Sequence, residues 1–248
     1  MLSFSPYSFG MGYFYLVPQK NQIYTAILVD SSNRKLAVKM LPKTYDDGYV
    51  LQVEKSSGSI HANVFSSGEY GEVSLVVHSR NQIIYSEKHT IKDGKTFFHV
   101  DFEKLEEGIS LFTVFDPTGK PVCERLFFKQ PKPVDIEFIC PQKVKTRQKV
   151  LLPFSFNEIN DAECSISVYH SDDLSDHKQA DIQSYNLLTS DLRGNIENPS
   201  FYLMNSDSAI IAADNLMLTH GWRRFRWNDV LEDTFFQNHF CLNITDKL

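Results

Sequence analysis

The chain has 248 residues, with 25 Lys and Arg against 31 Asp and Glu and a formal net charge of −6. At roughly 100–200 residues per domain this is one large domain or two to three small ones, and 42% apolar with 23% charged residues is the composition of a globular protein, not a disordered one. The acidic balance argues against nucleic-acid binding, which needs a basic excess to neutralise phosphates, and no apolar run approaches the ~18 residues of a membrane-spanning helix.

Residues 1–15 carry no Lys or Arg and are rich in aromatics and glycine (Phe4, Tyr7, Phe9, Gly10, Gly12, Tyr13, Phe14, Tyr15). A secretory signal starts with positive charge ahead of an apolar core, so the expectation is either a cytosolic protein or an internal piece of a longer one, and the latter is favoured.

From there the dominant period is two. Leu36, Val38 and Met40 alternate with Lys35, Ala37 and Lys39; Tyr49, Leu51 and Val53 alternate with Gln52 and Glu54; Ile60, Ala62 and Val64 alternate with Ser59, His61 and Asn63. Leu75/Val77, Phe98/Val100/Phe102, Ile109/Leu111/Thr113/Phe115, Val150/Leu152/Phe154/Phe156 and Cys164/Ile166/Val168 continue the pattern. Such alternation predicts strands with one set of side chains on a core face and the other toward water. Turn signals punctuate them: Asp46-Asp47-Gly48, Ser57-Gly58, Ser67-Gly68, Asp93-Gly94 and Asp116-Pro117-Thr118-Gly119. The last predicts a type I turn with Gly119 at positive φ, joining 109–115 to 122–128 as a hairpin. Short strands at about 8–12-residue spacing indicate sandwiches or barrels.

Gln130-Pro131-Lys132-Pro133 is the best linker candidate, because prolines cannot sit in a central strand and stiffen a connector. One short helix is expected over 208–220: Ile210, Ala213 and Met217 fall at helical spacing, Ser206, Asp207 and Ser208 are cap candidates, and Gly221 suits the position past the end.

Several segments resemble a known family. Gly10-Met11-Gly12-Tyr13-Phe14 with Pro18 and Tyr24-Thr25-Ala26 is similar to a motif of macroglobulin-like β-sandwich domains in large Bacteroidetes surface proteins. The run 47–54 (DGYVLQVE) resembles the first strand of such a domain and 105–128 (LEEGISLFTVFDPTGKPVCERLFF) its close. Residues 187–203 (LLTSDLRGNIENPSFYL) and 214–227 (DNLMLTHGWRRFRW) resemble a segment that precedes a TonB-dependent-receptor plug-like domain in these proteins. The resemblance spans most of 10–227. It implies an extracytoplasmic, outer-membrane-associated protein of tandem immunoglobulin/macroglobulin-like sandwiches, all-β apart from the short helix. The neighbouring domains of the longer envelope protein would be its partners. The expected division is 1–42 as strands linked to a preceding sandwich, 43–129 as a macroglobulin-like sandwich, 130–230 as a second β-rich unit carrying the helix, and 231–248 as a tail or linker. The thioester Cys-Gly-Glu-Gln of macroglobulins is not matched, since Cys123 precedes Glu124-Arg125-Leu126.

Candidate chemistry is sparse. Gly94-Lys95-Thr96 mimics the end of a phosphate loop, but His89 stands where that loop needs its first glycine. The cluster His170, Asp172, Asp173, Asp176, His177 and Asp181 has oxygen ligands suited to calcium, yet its spacing fits no EF-hand, and Asp and Ser are good turn and cap residues. No Gly-x-Ser-x-Gly elbow anchors a hydrolase. His61, His78 and His99 alternate with apolar strand positions and are expected on solvent-facing sheet surfaces. Cys123, Cys140, Cys164 and Cys241 form no Cys-x-x-Cys pair. Neither cofactor nor catalytic set is expected. The sharpest local feature is Trp222-Arg223-Arg224-Phe225-Arg226-Trp227, with both tryptophans and three arginines. It is either a docking surface, since Trp and Arg dominate interface hot spots, or a packed segment with aromatics inward and arginines in water. Two function classes remain: a non-catalytic structural and interaction module, or a binding domain for carbohydrate or protein, including proteases.

Overall fold

The computed structural model describes residues 3–68, 71–80, 82–133, 136–139, 141–156, 181–220 and Trp227. It is mostly β, with antiparallel sheets and short helices toward the C-terminus. The strands are β1 (Thr25–Val29), β2 (Lys35–Met40), β3 (Tyr49–Ser56), β4 (Ser59–Ser66), β5 (Glu72–Ser79), β6 (Gln82–Thr90), β7 (Lys95–Asp101), β8 (Gly108–Phe115), β9 (Pro121–Lys129), β10 (Ile136–Phe138) and β11 (Phe154–Phe156).

Seven of them form the central unit. A three-stranded sheet in the order β3-β4-β7 faces a four-stranded sheet in the order β6-β5-β8-β9. Between them lies one apolar core of Val53, Ile60, Ala62, Val64, Val73, Leu75, Val77, Phe98, Val100, Leu105, Phe112 and Val114. The alternating residues of β3, β4, β5 and β7 face this core as their period dictates.

The turns follow their chemistry. Asp93 and Gly94 both have positive φ (52° and 72°), and Lys92 and Lys95 exchange backbone hydrogen bonds of 3.0 and 3.1 Å around them. This two-residue hairpin turn is where the phosphate-loop mimic falls. At 116–119 the Asp116 carboxylate accepts from the Thr118 N–H, the Lys120 N–H and the Thr118 hydroxyl at 2.6–3.0 Å, with Gly119 at φ 81°. Those donors hold the hairpin between β8 and β9 closed.

Three expectations are corrected. Among the described residues β1 and β2 pair only with each other, and every residue in both is exposed; the alternation over 35–40 predicts the strand geometry of β2 correctly but not a covered face. Residues 150–153 are not in a strand, and β11 holds only Phe154–Phe156, because Pro153 precedes it with no N–H to give. The helical content exceeds one helix: α1 (Ile182–Ser184) runs into a wide turn, Tyr185–Thr189, closed by the Ser190 N–H on the Tyr185 carbonyl at 2.8 Å. A 3-10 turn (Pro199–Leu203) and α2 (Asp207–Thr219) follow. α2 matches the expected helix, capped by the Ser206 hydroxyl accepting from the Ala209 N–H at 3.3 Å. Its buried face is Ala209, Ala212, Ala213, Leu216 and Met217, while Ile210 is 45% exposed. In the 130–230 stretch the described residues hold the β10–β11 pair and these helical segments; Cys140, Cys164 and the rest of 157–180 lie outside them.

Candidate functional site

β8 is buried at every residue from Gly108 to Phe115. Its Phe112 and Val114 enter the inter-sheet core, so Ile109, Leu111, Thr113 and Phe115 point the opposite way, to a face that an isolated two-sheet unit exposes to water. Here that face is covered. Ile109 and Leu111 of β8, with Leu126 and Phe128 of β9, form a second core with Leu188, Leu192, Ile196, Tyr202, Leu203, Ala212, Ala213, Leu216 and Met217. Each fully buried Leu, Met or Phe side chain contributes roughly 1.5–3 kcal/mol, so this cover is a structural element of the same kind as the sandwich core.

The chain is shaped for the closure. Gly108 opens β8 at φ 95°, and a Cβ there would lie 2.8 Å from the Leu187 carbonyl oxygen. Only glycine accepts that backbone angle and lets the helical segment approach so closely. From the other end of the sequence, Phe9 packs on Phe201 and Tyr202 with centroids 5.4 and 5.3 Å away, and Met11 sulfur lies 3.1 Å from the Thr219 hydroxyl.

One charged pair locks the cover to the sheet. The Arg125 guanidinium donates to the Asp214 carboxylate at 2.6 Å and to the Leu126 carbonyl at 2.7 Å. The Arg125 side chain is 10% exposed and that of Asp214 is 39% exposed, so the pair sits at the border of the interface, where the arginine is the more desolvated partner. Asn205 donates to the Pro131 carbonyl at 3.2 Å, and the Lys132 N–H donates to Glu107 at 2.9 Å. These contacts hold the Pro131–Pro133 connector against the same edge. Lys129, 8% exposed, is satisfied by the Phe102 and Leu105 carbonyls at 3.0 and 2.9 Å.

Of the six-residue motif, Trp222, Arg223, Arg224, Phe225 and Arg226 lie outside the described residues. Trp227 is described and buried. Its Nε1 donates to the Thr113 hydroxyl at 2.8 Å, and its ring meets His78 and Phe115 edge-on at 5.3 and 5.0 Å. It lies on the same outward face of the sheet, farther along β8 and beside β5, so it packs on its own chain and offers no open aromatic platform. His78 is corrected by the same contact: the indole buries it to 6% exposure, and it does not face solvent. His61 is half-buried and His99 exposed, on the outer face of the other sheet.

Of the acidic cluster, His170, Asp172, Asp173, Asp176 and His177 lie outside the described residues. Asp181 is an N-cap: it accepts from the Ser184 N–H at 2.7 Å and the Ser200 hydroxyl at 2.8 Å. Burial alone raises its pKa, and these hydrogen bonds outweigh that and hold the carboxyl below its ordinary value. Burial, aided by Glu124, pushes the Cys123 thiol up to about 12, the opposite of an activated nucleophile. Among the described residues no group of three or more His, Cys, Asp or Glu converges as a metal site.

The segments 9–11, 108–128, 187–203 and 212–219, together with Trp227, thus meet over one sheet, which no single motif announces. A clue is the text of β8 itself. A half-buried strand reads apolar-polar, whereas Ile109-Ser110-Leu111-Phe112-Thr113-Val114-Phe115 is nearly continuous, the pattern of a strand buried on both faces. No protein-family model matches the chain, and no curated protein matches it. No helix of the described residues is long and apolar enough to cross a membrane.

Proposed function

We propose that this chain is a non-catalytic structural and interaction module of a longer, outer-membrane-associated protein of the TonB-dependent-receptor type, built on immunoglobulin/macroglobulin-like β-sandwich architecture and working outside the cytoplasm. The observation that carries this reading is the β1–β2 ribbon. Ile27, Leu36, Val38 and Met40 alternate toward one side of it as in a strand pair made for a core, yet all four are exposed, from 47% to 68%. A two-stranded ribbon is marginal in water by itself, and a contiguous exposed apolar strip marks a contact surface. The neighbouring sandwich of the longer protein supplies the missing layer. The covered β8–β9 face supports the same reading, since it fixes the central unit rigidly to the segments that lead onward in the chain.

The test is the gene and its whole product. A signal peptide upstream and a strand-rich, plug-like region downstream are expected. Amides of 25–40 should exchange rapidly in this chain alone and be protected at least a hundredfold in the whole product. Equal exchange in both, or a gene coding for this chain alone, overturns the proposal.

An alternative reading, a freestanding binding domain for carbohydrate or protein, draws on one observation. Phe4, Tyr13, Phe14 and Tyr15 are exposed and arranged in pairs, Phe4–Phe14 at 5.0 Å and Tyr13–Tyr15 at 5.6 Å. Saturation transfer from these rings to a panel of oligosaccharides would favour it over the module.

A further inference from the structure

The outer face of the β3-β4-β7 sheet carries a row that the strand registers place side by side: Glu54 on β3, His61 on β4 and His99 on β7. Directly opposed residues on antiparallel strands have Cβ atoms about 4.5–5.5 Å apart. Here the two imidazoles are in contact, with centroids 4.5 Å apart and planes at 78°. Two imidazoles held by ~2.1 Å bonds around one tetrahedral ion have centroids roughly 5 Å apart, so a turn of the exposed His99 ring, with little backbone motion, brings a nitrogen from each onto one ion.

His61 has a neighbour that orients its ring. Ser59 Oγ lies 3.2 Å from His61 Nε2 and 3.2 Å from the Ser56 carbonyl. When the hydroxyl proton goes to the carbonyl, Ser59 Oγ accepts from Nε2–H, and Nδ1 presents the lone pair. A ligand histidine is typically fixed in this way, donating its other ring N–H to a neighbouring oxygen that orients it.

We propose that His61 and His99 form a two-point chelate for a divalent transition-metal ion of the zinc, nickel or copper class, with Nδ1 as the His61 ligand atom and Ser59 as its positioning residue. Since no third His, Cys, Asp or Glu among the described residues converges with the pair, water fills the remaining positions, and the affinity is micromolar, far below that of a closed structural site. Calcium and magnesium, which prefer oxygen, are rejected. Copper binds tighter than nickel or zinc, following the general order for nitrogen sites.

Calorimetric titration of the chelator-stripped chain with zinc and nickel chlorides tests this. One ion per chain is expected at the pair, with a micromolar Kd and no heat from magnesium. His61→Ala and His99→Ala should each weaken binding at least tenfold. Ser59→Ala should weaken it severalfold by removing the contact that orients the His61 ring, and His89→Ala should not change it. Both histidines lie on a sheet surface, so unchanged melting without metal shows that the variants are folded. A His170→Ala/His177→Ala variant should bind as before. Loss of binding in that variant with retention in His61→Ala/His99→Ala, or no binding at all, overturns the proposal.

Discussion

Arg125 is the residue whose surroundings make the sharpest demand. It is desolvated beneath α2 and depends on Asp214 for its counter-charge. Removing one partner of such a pair leaves a charge in low dielectric, which costs more than the pair itself is worth. Asp214→Ala is expected to destabilise the protein by about 1–2 kcal/mol, less than for a fully buried pair because Asp214 is 39% exposed and solvent screens the charge left behind, read from urea unfolding, whereas Arg125→Met with Asp214→Leu should return most of that loss. Cys123 makes a chemical prediction of the opposite sort. With its thiol pushed up to about 12 by burial, it should stay unmodified by iodoacetamide at pH 8 in the folded protein and react once unfolded, as peptide mapping can show. Asp116 and Asp181 predict an acid dependence. Burial raises both carboxyls, but hydrogen bonding overrides it and leaves both below the ordinary value. A carboxyl lowered in the folded state contributes stability that is fully present above its unfolded value, about 3.9, and is lost as pH falls through the folded one. Asp181→Ala should therefore cost about 1 kcal/mol at pH 7, the value of a helix cap, and the gap to the parent should shrink as pH falls below the unfolded value of about 3.9.

At the scale of elements, the interface between β8–β9 and the helical segments hinges on a backbone contact as well as side chains. Gly108→Ala forces a Cβ against the Leu187 carbonyl at a positive φ, and a loss of at least about 1 kcal/mol is expected. Trp227→Ala opens a cavity over Phe115 and His78 and strips Thr113 of its donor; about 3–5 kcal/mol is expected, measurable by thermal denaturation. These elements also show what the sequence makes legible. Turn chemistry and period two locate β3 to β9 because they are local: Asp93-Gly94 can close a hairpin with no information from elsewhere. Cap chemistry does the same for α2, where Ser206 marks the start. Which side of a strand is covered is a tertiary fact. Ile109 and Leu111 are expected on one core face, and they are buried, but against a helix about a hundred residues away in sequence. For Leu36 and Val38 the same alternation ends in an exposed ribbon. The buried His78 was likewise illegible, because the indole that covers it lies at position 227.

At the scale of the whole molecule, the described residues present two unlike exteriors. One sheet face is sealed by helical segments, while among the described residues the β1–β2 ribbon and its edges stand open. Unpaired strand edges beside apolar side chains template association, so the chain should form concentration-dependent dimers or larger species in multi-angle light scattering. Val38→Lys with Ile27→Lys, directly opposed on the strip, should shift it toward monomer without lowering the unfolding midpoint, because neither residue belongs to a core. A monodisperse monomer in the parent chain would remove self-association through the ribbon.

The sealing of β8 and β9 has a consequence in time. The strands are complete once the ribosome has passed Lys129, but Met217, which helps to cover them, comes roughly 90 residues later. At ~5–20 residues per second, Ile109, Leu111, Leu126 and Phe128 wait about 4–18 s for their cover. Met11 waits longer still for Thr219, 208 positions away. The nascent protein thus carries a folded sandwich with one greasy face until residues 188–217 have followed it, and that interval is when a holding chaperone has something to grasp.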